Sequence, residues 1–107
     1  MKPDQLKGHL DTLLLAVVRD TPAHGYAIIT ELRERSAGTF DLPEGTVYPA
    51  LHRLERAGLL RSAWADVSGR RRRVYQVTGA GATALTAGRK AWLEFSTGMQ
   101  TVLGAPA

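Results

Sequence analysis

Residues 44–78 read EGTVYPALHRLERAGLLRSAWADVSGRRRRVYQVT, and the fold turns on how this stretch divides. Its first part, 44–57, puts Val47, Leu51 and Leu54 on one face at helical spacing. Gly58 then stands where a left-handed glycine ends a helix. Pro49 constrains where that helix begins. With Thr46 as N-cap, Pro49 falls in the first turn, where a missing N–H costs little. A start near Glu44 instead puts the proline inside the helix and predicts a local kink. Beyond Gly58 the period changes to two. Leu60, Ser62, Trp64 and Asp66 alternate with Arg61, Ala63, Ala65 and Val67, and after Ser68-Gly69 Arg73, Tyr75 and Val77 alternate with Arg72, Val74 and Gln76. That is a β-hairpin with a basic tip.

On the N-terminal side, residues 24–36 repeat the helical pattern with Ile28, Ile29 and Leu32, and Gly38 stops it. Residues 4–20 form an earlier helix carrying Leu6, Leu10, Leu13, Leu14, Val17 and Val18. It ends at Thr21-Pro22, because the residue before proline disfavours the α region. On the C-terminal side a helix runs from about 80 to 103, marked by Leu85, Gly88, Trp92, Phe95, Met99 and Val102 at spacings of 3, 4, 3, 4 and 3. The order is helix, helix, helix, strand, strand, helix. It describes a mostly α fold with a small β-hairpin: a winged helix-turn-helix over 1–78, then a C-terminal helix over 79–107, as one compact unit. The 3-4 seam is a stripe that one helix cannot bury alone, so the C-terminal helix is expected to make a homodimer. Gly88 is expected to weaken it by about 1 kcal/mol relative to alanine. Trp64, Tyr75 and Val77 are expected in the core, His24 at a helix cap or turn, and Tyr26 packed between helices with its hydroxyl at the surface.

In a helix-turn-helix the second helix enters the major groove of DNA. Here that helix is 46–57. With Val47, Leu51 and Leu54 turned inward, Thr46, Tyr48, Pro49, His52, Arg53 and Arg56 fall on or beside its outer face. Charge agrees with this placement. The net charge of +4 is modest, but residues 52–73 hold seven arginines against Glu55 and Asp66, a local balance of +5, while the rest of the chain is −1. Arginine suits forked hydrogen bonding to phosphate and base edges.

Other functions are poorly served. With no cysteine in 107 residues, disulfides, thiol nucleophiles and Cys-ligated metals are excluded. His9, His24 and His52 have no metal-site spacing, so no metal and no cofactor is expected. The chain contains no Walker A loop, no dinucleotide fingerprint and no acid–base constellation, so no catalytic residue is assigned. The longest apolar run, Leu13 to Val18, is far short of the roughly 20 residues of a membrane span. The polar start of the chain leads into no secretory signal. A cytoplasmic protein without a membrane partner is expected.

Four strings, LKGHLDTLLL (6–15), HGYAI (24–28), EGTVYPALHRLERAGLL (44–60) and GRRRRVYQVT (69–78), resemble in that order the PadR family of bacterial transcriptional regulators, in its smaller subtype with a single C-terminal helix. The resemblance runs from about residue 6 to residue 95. It implies a dimeric winged-helix repressor that binds double-stranded DNA at a palindromic operator and is released by a small ligand or a stress signal. It assigns the DNA-facing role to Thr46, Tyr48, Pro49, His52 and Arg53, and the wing role to Gly69, Arg70, Arg71 and Arg72. It also implies that Trp92, with Phe95 and Met99 on the following turns, lines either the dimer seam or a pocket for a planar aromatic effector. The chain departs from the family pattern at 78–90, which is rich in Gly and Ala, and at Arg73-Val74, where Lys-Tyr is frequent. A winged helix that binds protein, or a nucleic-acid-binding protein without sequence preference, is the alternative.

Overall fold

The computed structural model describes residue 6 and residues 8–104. Its first full helix, α1, is Leu10–Asp20. The helix expected over 4–20 is interrupted at Gly8, which lies at φ +87°, a left-handed conformation that breaks a helical ladder; its expected start at residue 4 lies outside the described residues. A two-residue strand β1, Ala23–His24, leads into α2, Gly25–Arg35. The expected role of His24 holds, since its Nδ1 accepts the Ala27 N–H and caps α2. Ala37 and Gly38, both at positive φ, turn the chain toward α3, Glu44–Arg56.

Helix α3 begins at a Pro43 cap, whose carbonyl accepts from the Thr46 and Val47 N–H groups. Thr46 is therefore inside the helix, and so is Pro49. The proline takes away the bond that the Gly45 carbonyl would accept; Gly45 is exposed, so that carbonyl meets water instead.

The hairpin is β2, Leu60–Val67, and β3, Arg70–Val77, joined by Ser68 (φ +50°) and Gly69 (φ +79°). Two consecutive positive φ values make the tight turn whose twist matches the strands. All four arginines from Arg70 to Arg73 therefore belong to β3 and alternate between its faces, so the expected basic tip is a basic strand. β1 pairs with the other edge of β3, giving an antiparallel sheet of order β1-β3-β2. The last helix, α4, is Gly79–Leu103, capped by the Thr78 hydroxyl, which accepts from Gly81 N–H.

One apolar cluster joins these elements, with Leu14 and Val18 of α1, Ile28 of α2, Val47, Leu51 and Leu54 of α3, Leu60 and Tyr75 of the sheet, and Leu85 of α4. Trp64 does not join it. At 55% exposure it corrects the expectation of a core residue, because it sits on the hairpin beyond the helices that the sheet covers. Tyr26 is likewise exposed rather than packed between helices. Gly88 is corrected too. An added Cβ there would collide with Thr12 Oγ1, so α1 and α4 touch where only a glycine fits.

Candidate nucleic-acid interface

Helix α3 is placed by its inner face and presents its outer one. Thr46 is half-buried, while Pro49, His52, Arg53 and Arg56 are exposed. Tyr48 lies at the edge, with its ring against Gly25 at the start of α2; a Cβ on Gly25 would meet that ring at 2.6 Å. Tyr48 is thus a spacer between the two helices of the motif as much as a surface residue.

The C-terminal turn of α3 is tied on two sides. The Arg53 guanidinium forks onto Asp11 of α1, with Nη1–Oδ2 and Nη2–Oδ1 both 2.8 Å. Glu55 accepts a 2.6 Å hydrogen bond from the Ser62 hydroxyl and lies 3.7 Å from Arg73 Nη2, both on the hairpin. The N-terminal half of α3 bears no such ties among the described residues, and in a helix-turn-helix those residues reach the base edges.

The hairpin has two unlike faces. Strand register sets Ser62 opposite Tyr75, Trp64 opposite Arg73 and Asp66 opposite Arg71, on the face that meets α3. The guanidiniums of Arg71 and Arg73 lie over the Trp64 ring, 5.7 and 5.6 Å from its centroid. Such stacking holds two otherwise mobile side chains in place. The other face carries Arg70 opposite Val67 and Arg72 opposite Ala65. Among the described residues no carboxylate pairs with Arg70, Arg71 or Arg72. Burial, with help from Arg72, pushes the His24 imidazole below its ordinary value.

The far half of α4 is a second surface. Beyond Gly88 it is left largely uncovered among the described residues, and Trp92 (47% exposed), Phe95 (57%) and Met99 (46%) stand out with Leu93, Val102 and Leu103. His9 meets Trp92 edge-on at 5.2 Å, and Phe95 lies 5.9 Å from the same ring. Among the described residues no cluster of His, Asp and Glu could hold a metal ion, and no helix is long and apolar enough to cross a membrane.

Among the described residues, three short helices, a three-stranded sheet ending in an arginine-bearing hairpin, and a long helix across the back make a winged helix-turn-helix. A model of the transcriptional regulator PadR-like family matches residues 14–87. The chain belongs to the PadR-like family. Transcriptional regulator Rv3488 of Mycobacterium tuberculosis is 44% identical over 77 residues, 72% of this chain and 69% of that protein. A PadR family transcription regulator from Clostridium difficile superposes with a TM-score of 0.80 at 33% identity, covering 90% of this chain and 99% of that one. A transcriptional regulator from Clostridium thermocellum shares the fold, with a TM-score of 0.86 at 24% identity over 94% of this chain and 99% of that one. The protein is thus a PadR-family transcriptional regulator, not an enzyme. That is the family and the fold to which the four strings pointed.

Sequence reasoning missed Asp11, Glu55 and Trp64 as parts of this surface. The strand alternation that groups Trp64 with Arg71 and Arg73 is visible in the sequence. The pairing of Asp11 with Arg53, 42 residues apart, leaves no local signal.

Proposed function

We propose that this PadR-family regulator is a homodimeric repressor of a palindromic operator, released by a planar aromatic effector. The observation that carries it is the pairing, on one small module, of an untied α3 N-terminal half with a neighbouring arginine strand. Thr46, Pro49 and His52 face base edges, with Tyr48 setting the helix spacing. Gly69 turns the wing, and Arg70, Arg71 and Arg72 meet phosphate. Phosphate contacts fix register and base contacts give sequence preference.

The dimer is supported by the far half of α4. A helix of about 12–15 residues standing alone is marginal in water. Six large exposed apolar residues on residues 92–103 need a partner surface, and a second copy supplies the same stripe. Residues 1–78 and 79–107 then divide the labour, the first reading DNA and the second pairing the copies. Trp92, Phe95 and Met99 fall at that seam, where a flat apolar compound stacks between the two indoles. Such a ligand releases DNA only if it binds the non-DNA arrangement better.

The test is a salt titration on a duplex bearing the inverted repeat of the protein's own promoter, beside a scrambled duplex. A sequence-reading dimer prefers the repeat at every salt concentration and loses affinity steeply as salt rises, by counterion release. Equal binding to both duplexes indicates a nucleic-acid-binding protein without preference. No binding to either indicates a winged helix that engages protein. For the effector, Trp92→Ala should abolish ligand-induced release and leave a folded dimer that binds DNA; loss of the dimer makes Trp92 structural.

A further inference from the structure

We propose that Arg53 is a positioning residue rather than a reader. Its fork on Asp11 sets the pose of α3, so that Asp11 serves DNA binding without touching DNA. The proposal rests on the DNA-binding reading above and assigns a different role to one residue of its recognition helix.

The geometry is that of a strut. Both guanidinium Nη atoms donate to the two Asp11 oxygens at 2.8 Å, the parallel two-point arrangement that fixes direction as well as distance. The apolar contacts beneath, between α1 and α3, restrict the crossing of the two helices by packing, and the fork adds a directional bond at the rim. Val47, Leu51 and Leu54 anchor α3 along its inner face, and a tilt about that face moves its outer residues most. The fork to α1 on one side, and the tie of Glu55 to Ser62 and Arg73 on the other, oppose that movement at its C-terminal turn.

The strut is grounded where it matters for a two-reader dimer. Asp11 lies between His9, which meets Trp92, and Thr12, which packs on Gly88. The N-cap and first turn of α1 thus connect α3 to the helix that carries the exposed seam. Two half-sites lie about 34–36 Å apart along the duplex, so a small tilt of each reader relative to that helix spoils both docks together.

Charge makes the proposal testable by sign. A carboxylate beside a DNA-facing helix repels phosphate. If Arg53 read DNA, Asp11→Asn would both free it and remove that repulsion, and binding would tighten. If Arg53 is a strut, Asp11→Asn removes the fork and binding weakens, even though the net charge has become more positive.

The experiment measures fluorescence anisotropy on a labelled duplex carrying the inverted repeat that the wild-type protein enriches from random DNA. The proteins are wild type, Asp11→Asn, Arg53→Lys and the double variant. The pair is solvent-exposed and such pairs contribute up to about 1 kcal/mol, so each single variant should bind roughly twofold to fivefold more weakly. The double variant should be no weaker than the worse single, and Asp11→Asn should leave the salt slope at its wild-type value. Tighter or unchanged binding by Asp11→Asn overturns the proposal. Should that variant melt below the assay temperature, Arg53→Lys decides alone. Uniform loss across the half-site supports a strut, and an altered preference at one base pair overturns it. Failure of the DNA-binding reading itself is distinct, because then the wild type enriches no sequence.

Discussion

Replacing Gly88 by alanine should destabilise the protein, against the ordinary preference of helices. On propensity alone the change gains about 1 kcal/mol. Steric crowding between α1 and α4 opposes that gain and outweighs it. The new Cβ would collide with Thr12 Oγ1 and lie 3.2 Å from both Thr12 Cβ and Cγ2. Thr12 is β-branched and stiff at χ1, and its own Cβ lies 3.2 Å from the new Cβ, a contact that no rotamer change relieves. Helices α1 and α4 must then move apart, and overpacking of this kind costs about 1–3 kcal/mol. The net expectation is a loss of up to about 2 kcal/mol. Thr12→Ala removes Oγ1 and Cγ2, so in that background Gly88→Ala should turn stabilising by several tenths to about 1 kcal/mol. Urea melts of the four proteins at one fixed protomer concentration measure this, the concentration being held because assembly shifts apparent stability. A higher midpoint for Gly88→Ala alone would refute the close approach of α1 and α4.

His24 is held below its ordinary pKa by burial and by Arg72, so the unfolded chain binds the extra proton more readily. Stability from this group is present above the unfolded value of about 6.5 and is lost as pH falls through the lowered folded value. His24→Asn, which keeps a capping acceptor, should flatten the stability profile below about pH 6.5; an unchanged slope counts against a lowered His24 pKa in the folded protein. In the wing, Arg70→Ala or Arg72→Ala should weaken binding to all duplexes alike and lower the salt slope by about 1 each. His52→Ala should instead change which bases are preferred, by about 1–3 kcal/mol at one position. Identical behaviour of the two classes, read by anisotropy on a panel of half-site variants, contradicts the division of roles. Ending the chain after Lys90 keeps Leu85 in the core but removes the exposed seam, and sedimentation should report a folded monomer. Deleting residues 80–107 also strips Leu85 and Gly81 and should give a monomer or an aggregate. A dimer after either truncation contradicts the seam.

The parts legible in the sequence are those set by neighbours along the chain. The inner face of α3 follows from Val47, Leu51 and Leu54, and the hairpin register from the Ser68-Gly69 turn. What is not legible depends on distance in sequence or on where the core stops. β1 is two residues long, too short to show a period, and exists because the free edge of β3 lies beside it. Trp64 alternates correctly with Tyr75, but alternation does not tell how far along a strand the helices extend their cover. Pro49 is compatible with two helix starts, and the cap at Pro43 selects the one that puts it inside. At Arg53 the residue type suits DNA, yet its partner is 42 residues away. The glycine at 88 reads as a flaw in α4 because its neighbour, Thr12, is on another helix.

The most direct test is selection from a pool of random duplexes by the purified protein, followed by sequencing. Two readers related by a two-fold axis should enrich an inverted repeat with half-site centres about 10–10.5 base pairs apart or a multiple of that. His52→Ala should shift the enriched half-site at one position while keeping the spacing. A pool that stays random under wild-type protein, or one that enriches a single unrepeated site, would contradict a dimer that reads DNA through α3.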